Sequence, residues 1–413
     1  MQPSLPFQSP YWEEDPNFDL DAHLHRVALP SPGGQAELEQ MCSDLMSTPL
    51  DFSKPLWQIH VIENFGDGCA VMTRLHHCIA DGMALVIVLL SMTDKNPDAP
   101  IPQPSNEPEE KKNGSLFGGM LGAVVKQATS TVNTARKMTE RAVQEGVQTL
   151  VNPSRLLELA KQGTDVSAAV GRLVLRSNDP KTVFRGELGV RKKAAWSRPI
   201  PLPDVKAIKN VMGGTVNDVL VSAMSGALRR YLIEKGESVD NLNFRAAIPV
   251  NLRTQDQMGE LGNKFGLVFL SMPIGIGDTV DRLAEVRKRM DMLKNSKEAI
   301  VAFGILGAMG RTPVEVQTQV VSVLAEKVTA VMTNVPGPPM PLYLAGQQIQ
   351  GLMFWVPQAG RVGLGSSILS YANNVYLGLA TDAGRVNNPN EIIDHFYEEF
   401  QTMLTLVEQT KES

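Results

Sequence analysis

Two adjacent histidines, His76 and His77, stand in the stretch Arg74-Leu75-His76-His77-Cys78-Ile79-Ala80-Asp81-Gly82, and they are the residues best suited to moving a proton. An imidazole titrates near neutrality, so it can take a proton from a hydroxyl and return one to a leaving group within a single cycle. Neighbouring strand residues point to opposite faces, so only one of the two can serve a given reacting atom while the strand stays regular. Asp81 lies four residues beyond His77 and is followed by Gly82. That spacing suits a turn anchored by a salt bridge better than direct pairing with the imidazole. Competing chemistries are weaker. A histidine at a strand end is more often structural than catalytic, and adjacent histidines rarely share a metal. His23, His25, His60 and His395 are scattered, so no metal centre is expected. Cys78 beside His77 does not make a thiol–imidazole pair in space, and it reads as packing.

The elements that must hold these residues are legible around them. Trp57, Ile59 and Val61 alternate with Gln58 and His60, and a second run from Cys69 to Leu75 follows a Gly66-Asp67-Gly68 turn. This predicts two adjacent strands, the second ending at His76 and His77. From Met83 to Met92 the chain is apolar and free of Gly and Pro, which predicts a buried helix starting at the Asp81-Gly82 turn. Upstream, the alternation from Phe18 to Val27 predicts a strand, and Leu38, Met41, Cys42 and Leu45 fall on one face of a helix over 36–46. Pro55 suits the first position of a strand. Trp57 reads as core, with the lining of a substrate channel as the alternative.

Further along, Pro, Asn, Glu and Lys dominate residues 100–115, a solvated linker. Phe117, Leu121, Val124, Ala128, Val132, Ala135, Met138 and Ala142 then recur at helical spacing beside Lys126, Arg136, Lys137 and Arg141. Such a helix could cover a seam between domains or dock on lipid. A second helical pattern spans Leu156 to Val174. The basic run Arg191, Lys192 and Lys193 could meet the phosphates of a nucleotide handle, although a charge run is usually a solvated face. In Gly213-Gly214-Thr215-Val216-Asn217-Asp218, Thr215 and Asp218 have capping-box spacing before an apolar helix. That leaves Asn217, whose amide at a helix N-terminus could polarise a carbonyl or bind a hydroxyl. Strands are expected at 244–250, 265–273, 329–335, 351–357, 364–371 and 375–381, with helices at 279–293 and 392–409.

Composition frames this as a large globular chain. With 413 residues, 43% of them hydrophobic, there is material for two domains. A net charge of −5 gives no reason to expect nucleic acid as a partner. Three unpaired-looking cysteines fit a reducing cytoplasm, and the N-terminus has no secretory pattern. The longest apolar run is about half of what a bilayer requires, so no transmembrane helix is expected.

Taken together, the motifs resemble those of the bacterial wax ester synthase/acyl-CoA:diacylglycerol acyltransferases, within the chloramphenicol acetyltransferase-like superfamily. The resemblance rests on His76-His77 followed by Asp81-Gly82, on Pro55-Leu56-Trp57, on Gly213 to Val219, and on Asn334-Val335-Pro336-Gly337-Pro338. It implies an α/β fold (α+β mixed): two lobes of mixed sheet and helix, a helical linker, and an active-site tunnel between the lobes. The corresponding boundaries are residues 1–100 for the first lobe, 101–180 for the linker and 181–413 for the second. The resemblance also expects an opening strand and helix upstream of the first lobe. It implies catalytic roles for His77 as general base, with His76, Asp81 and Gly82 supporting it, and substrate contacts from Asn217, Asp218, Trp57 and Thr333. Asp81 would be held by an arginine, with Arg245 and Arg253 both open. No cofactor is implied beyond acyl-CoA as co-substrate. The acceptor would be a fatty alcohol or diacylglycerol, met in the cytoplasm or peripherally on the inner face of the plasma membrane or on lipid inclusions. Two alternatives stand beside this: a condensation-type acyltransferase using a carrier-protein thioester, and a truncated, inactive lipid-binding homologue.

Overall fold

A computed structural model of the protein describes residues 13–100, 176–254, 257, 262–296, 298–309, 314–358 and 360–412. The expected linker and its helices fall, up to residue 175, outside the described residues. In the first lobe a short 3-10 turn, Leu20–Ala22, leads into β1 (Leu24–Ala28), then α1 (Gln35–Ser47), β2 (Trp57–Phe65), β3 (Gly68–Leu75) and α2 (Gly82–Ser91). β1 runs parallel to β2 and β3 antiparallel to it, in the order β1-β2-β3. Strand alternation sends Val27, Ile62, Ala70 and Met72 to one face, where they meet Leu38 and Cys42 of α1. Burial there pushes the Cys42 thiol up to about 12, so this cysteine is packing rather than chemistry. The same cluster includes Ala194, Trp196 and Trp355, which fastens the small sheet to the second lobe.

The second lobe continues with β4 (Lys192–Trp196), β5 (Ile200–Pro201), α3 (Leu202–Met212), α4 (Val216–Glu234), β6 (Phe244–Asn251) and β7 (Phe265–Met272). After these come α5 (Thr279–Lys294), α6 (Glu298–Met309), α7 (Val314–Ala325), β8 (Ala330–Pro336), the short pair β9 (Tyr343–Leu344) and β10 (Gln347–Gln348), β11 (Leu364–Tyr371), β12 (Asn374–Asp382) and α8 (Asn390–Glu412). Seven strands form one mixed sheet in the order β4-β12-β11-β8-β6-β7, with β5 also pairing β12. Within it β6, β8 and β11 are mutually parallel. Phe244 and Ala246 face the main core with α4 and α8, whereas Ala247 faces Val301, Ile305 and Val320 of α6 and α7. Helices therefore cover both faces.

Helix α4 is the axis of this lobe. Every residue from Asp218 to Leu228 is buried, so it is a central rather than a one-sided helix. Gly226 lets it approach α8 closely: a Cβ there would lie 2.4 Å from the Glu399 carboxylate, which pairs with buried Arg282. Because β6 and β8 are parallel, their C-terminal ends and the start of antiparallel β7 share one edge of the sheet. Crevices at such edges are where open α/β sheets hold ligands. Helix α2 arrives at this edge, since a Cβ on Gly82 would touch Val335 Cγ2 at 4.0 Å.

The two mixed lobes agree with the expected class. Several local expectations need correction. The strand expected from Phe18 to Val27 starts only at Leu24, after the 3-10 turn at Leu20–Ala22, where Asp19 accepts from Asp21 N–H. β3 ends at Leu75, so both histidines lie beyond the strand. Residues 351–357 form no strand; the Phe354 carbonyl accepts from Ser367 Oγ and Trp355 packs edge-on against Trp196. Helices α3, α6 and α7 were not anticipated; within α6, Ala299 to Leu306 is a continuous apolar run with no readable period.

Candidate active site

The hairpin of β2 and β3 delivers the histidines to the edge of the large sheet. Register pairs Trp57 with Leu75, and His76 N–H donates to the Leu56 carbonyl at 2.9 Å as the strand finishes. Ile79 N–H then donates to the His76 carbonyl at 3.0 Å, closing a tight turn with His77 and Cys78 at its tip. The two rings diverge because of this turn, not through strand alternation. His76 Nδ1 accepts from Cys78 N–H at 3.3 Å, and its ring meets Phe52 edge-on at 5.6 Å. His77 is exposed and lies 5.7 Å from the ring of Phe265, the first residue of β7. Among the described residues its imidazole has no hydrogen-bond partner.

The backbone of this turn is fixed from the other lobe. Asp81 caps α2 by accepting from Ala84 N–H at 3.0 Å through Oδ1. Its Oδ2 accepts from Arg253 Nη1 at 2.6 Å and from Lys264 N–H at 2.8 Å. Arg253 Nη2 donates to the Gly262 carbonyl at 2.6 Å, and Gly262 pairs with Ala80 in an isolated bridge. Asn263 Nδ2 adds a bond to the His77 carbonyl at 2.8 Å. The side chains of Arg253 and Asp81 are 1% and 6% exposed, so this is a buried pair with its remaining groups largely satisfied. Removing one partner of such a pair costs about 3–5 kcal/mol. Arg245, the other arginine considered, is spent on Asp179 at 2.8 Å.

The second cluster sits at the N-terminus of α4. Thr215 Oγ1 accepts from Asp218 N–H at 3.2 Å, and Asp218 Oδ2 accepts from Thr215 N–H at 2.8 Å, a reciprocal capping box. Asp218 is 1% exposed and its Oδ2 is spent on that cap, while its buried Oδ1 has no hydrogen-bond partner among the described residues. Asn217 is half-buried, and its Oδ1 accepts from Asn334 Nδ2 at 2.8 Å. On β8, Thr333 is buried while Asn334 is exposed, so the accessible polar residue is the neighbour of the one expected. Trp57 stacks on His23 at 4.4 Å on the first-lobe sheet, and His23 Nδ1–H donates to its carbonyl at 2.7 Å. Gly82 has no left-handed φ, and a side chain there would make an ordinary contact.

The other histidines are engaged elsewhere. His25 and His60 face one another at 4.8 Å between β1 and β2, and His395 lies 3.0 Å from Glu234. Among the described residues no group of three or more His, Cys, Asp or Glu is placed to hold a metal. Residues that pattern reading missed are Phe52, Gly262, Asn263, Lys264 and Phe265, and Asn334 was read only as part of the Asn334 to Pro338 motif. Asn263 and Lys264 fall in a polar, Gly-containing loop between two predicted strands, which marks a connection but not its target.

Comparison with known proteins gives the family and the fold. The wax ester synthase/diacylglycerol acyltransferase catalytic domain matches residues 1–220, and the corresponding C-terminal domain matches residues 261–404. Two Mycobacterium tuberculosis proteins named as diacylglycerol O-acyltransferases are similar in sequence. One is 29% identical over 91% of this chain and 77% of its own length, the other 31% identical over 84% and 69%. The solved wax ester synthase/diacylglycerol acyltransferase from Marinobacter aquaeolei VT8 shares the fold, with a TM-score of 0.67 at 22% identity over 98% of this chain and 85% of that one.

Proposed function

Because this chain belongs to the wax ester synthase/diacylglycerol acyltransferase family and is an acyltransferase, we propose that it transfers a long acyl group from acyl-CoA to the hydroxyl of a fatty alcohol or diacylglycerol, with His77 as general base. The observation that carries this reading is an exposed, unpartnered imidazole on a turn locked by the buried Asp81–Arg253 pair. His77 takes the hydroxyl proton as the alcohol oxygen attacks the thioester carbonyl carbon and a C–O bond forms. The carbonyl oxygen carries the negative charge of the tetrahedral adduct. On collapse the C=O re-forms, the C–S bond breaks, and the imidazolium returns its proton to the CoA thiolate. The products are an ester and free CoA thiol, with no acyl-enzyme.

Each surrounding group has a matching task. Asn217, at the positive end of the α4 dipole, donates its amide to the developing oxyanion. Asp81 and Arg253 hold the turn without touching substrate. Helix α2, apolar throughout and only half-buried from Leu85 to Leu89, supplies a greasy wall beside the turn for an alkyl chain. Acceptors of this kind reside in membranes or lipid inclusions, so the protein meets them at a lipid surface. Among the described residues no helix is long and apolar enough to cross a membrane, so that contact is peripheral in this reading.

The test is thiol release from palmitoyl-CoA with hexadecanol or dioleoylglycerol as acceptor. Release that depends on either acceptor supports the reading and identifies the preferred one. Folded protein that releases no thiol with either would refute it.

A further inference from the structure

We propose that Asn334 is a positioning residue for the acyl-transfer step: by donating to Asn217 Oδ1 it fixes which end of the Asn217 amide faces the reacting carbonyl. This deepens the reading of Asn217 given above and rests on it. A side-chain amide carries an acceptor oxygen and a donor NH2 on one planar group. Only the NH2 end stabilises an oxyanion, and the torsion that exchanges the two ends is soft. Some neighbour must therefore choose the orientation.

Asn334 is placed to do so. Its Nδ2 lies 2.8 Å from Asn217 Oδ1, which occupies the acceptor end and leaves the NH2 end available. The two residues approach from independently fixed elements. Asn217 follows the N-cap Thr215 by two residues, so the capping box sets its backbone. Asn334 lies in β8 opposite Ile368 of β11, with Thr333 before it and Val335 after it both buried. Gly337, just beyond, allows β8 to hug β11: a Cβ there would fall 2.3 Å from the Ser370 carbonyl oxygen. Val335 is also the residue that abuts Gly82 at the start of α2. The amide pair thus joins α4 to β8 on one face of the strand, while Val335, the next residue, meets the start of α2 from the other.

The chemistry predicts an asymmetric response to an isosteric change. In Asn334→Asp the ionised carboxylate can only accept, so Asn217 turns its NH2 inward and presents its oxygen to the acyl carbonyl. Protonating that carboxyl restores a donor and with it the working orientation. Asn334 is exposed, so the change should leave folding intact.

The experiment measures palmitoyl-CoA thiol release with hexadecanol for the full chain and three variants: Asn217→Ala, Asn334→Asp and the double Asn217→Ala/Asn334→Asp. Loss of an oxyanion donor lowers kcat by about 100-fold. Asn217→Ala and Asn334→Asp should each show a loss of that order, with KM for palmitoyl-CoA and the melting temperature nearly unchanged. The double variant should be no slower than Asn217→Ala alone, because Asn334 acts only through Asn217. The ratio of Asn334→Asp activity to parent activity should climb as pH falls from 8 to 5. Asn334→Asp with parental kcat, or a double variant in which the two losses multiply, would overturn the role of Asn334 while leaving that of Asn217 in place. Parental activity in Asn217→Ala would overturn both.

Discussion

Strand β6 has an arginine near its start and another follows just past its end, and the two ends use them differently. At its start Arg245 pairs with Asp179, which also accepts from Thr329 Oγ1 at 2.8 Å, while Arg185 Nη1 donates to the Asp179 carbonyl at 2.7 Å. Asp179 is buried there, and burial holds its carboxyl above its ordinary range despite the nearby arginines. Just past its end Arg253 pairs with Asp81, across 172 residues of sequence, and the segment it grips carries His77 into the open. A buried arginine–aspartate pair does not by itself mark a functional site. What distinguishes the second is the exposed titratable group on the chain it immobilises, and the neighbouring amides left facing the same edge.

The sharpest way to break this contrast is to neutralise both carboxylates in turn. Asp81→Asn and Asp179→Asn should each destabilise the protein, by up to about 3–5 kcal/mol for an uncompensated buried arginine. Only Asp81→Asn should also cut activity per folded molecule, by more than about tenfold, since a small misplacement of a catalytic group costs up to about 100-fold. Equal specific activities in urea-titrated, folded samples would erase the distinction. A finer probe is Asn263→Ala, which removes one neutral hydrogen bond to the His77 carbonyl, worth about 1 kcal/mol. Its kcat should fall severalfold with the clamp otherwise intact, and a parental kcat would place that bond outside the machinery.

Acidification provides a control away from both ends of β6. Burial, with His25 and Arg74 nearby, pushes the pKa of His60 down, so the unfolded chain binds this proton before the folded one. Stability from this site is therefore complete above the ordinary histidine range near 6.5 and declines as pH falls below it. His60→Gln should flatten that decline in melts taken between pH 7.5 and 5, and an unchanged slope would assign it elsewhere. The smallest effect belongs to Gly82→Ala. Its Cβ meets Val335 at an ordinary 4.0 Å and the backbone is not left-handed, so stability should stay within about 0.5 kcal/mol and activity within about twofold.

What could be read from the chain, and what could not, follows the same physical line. Alternation in β2 and β3 and the apolar run of α2 are local signals, so the hairpin, the helix and the turn between them were visible. The capping box at Thr215 and Asp218 was visible too, but not that it leaves Asp218 Oδ1 buried and without a partner among the described residues. Choosing between Arg245 and Arg253 needs the path of the loop that brings residues 262–264 back to Ala80, which no local pattern encodes. Thr333 and Asn334 differ by one step on a strand, and that step decides which is exposed; register against β11 sets it, and a one-residue slip would reverse it. Turn geometry likewise, rather than strand parity, separates the two histidine rings.

The central claim is that the clamped turn exists to present His77 as a base. It is tested most directly by acceptor-dependent thiol release from palmitoyl-CoA in His77→Ala, with folding checked by melting temperature. General-base catalysis is worth about 10²- to 10⁴-fold, so the rate should drop by that amount while the melting temperature stays within a degree or two of the parent. A folded His77→Ala protein that releases thiol at the parental rate would contradict the account.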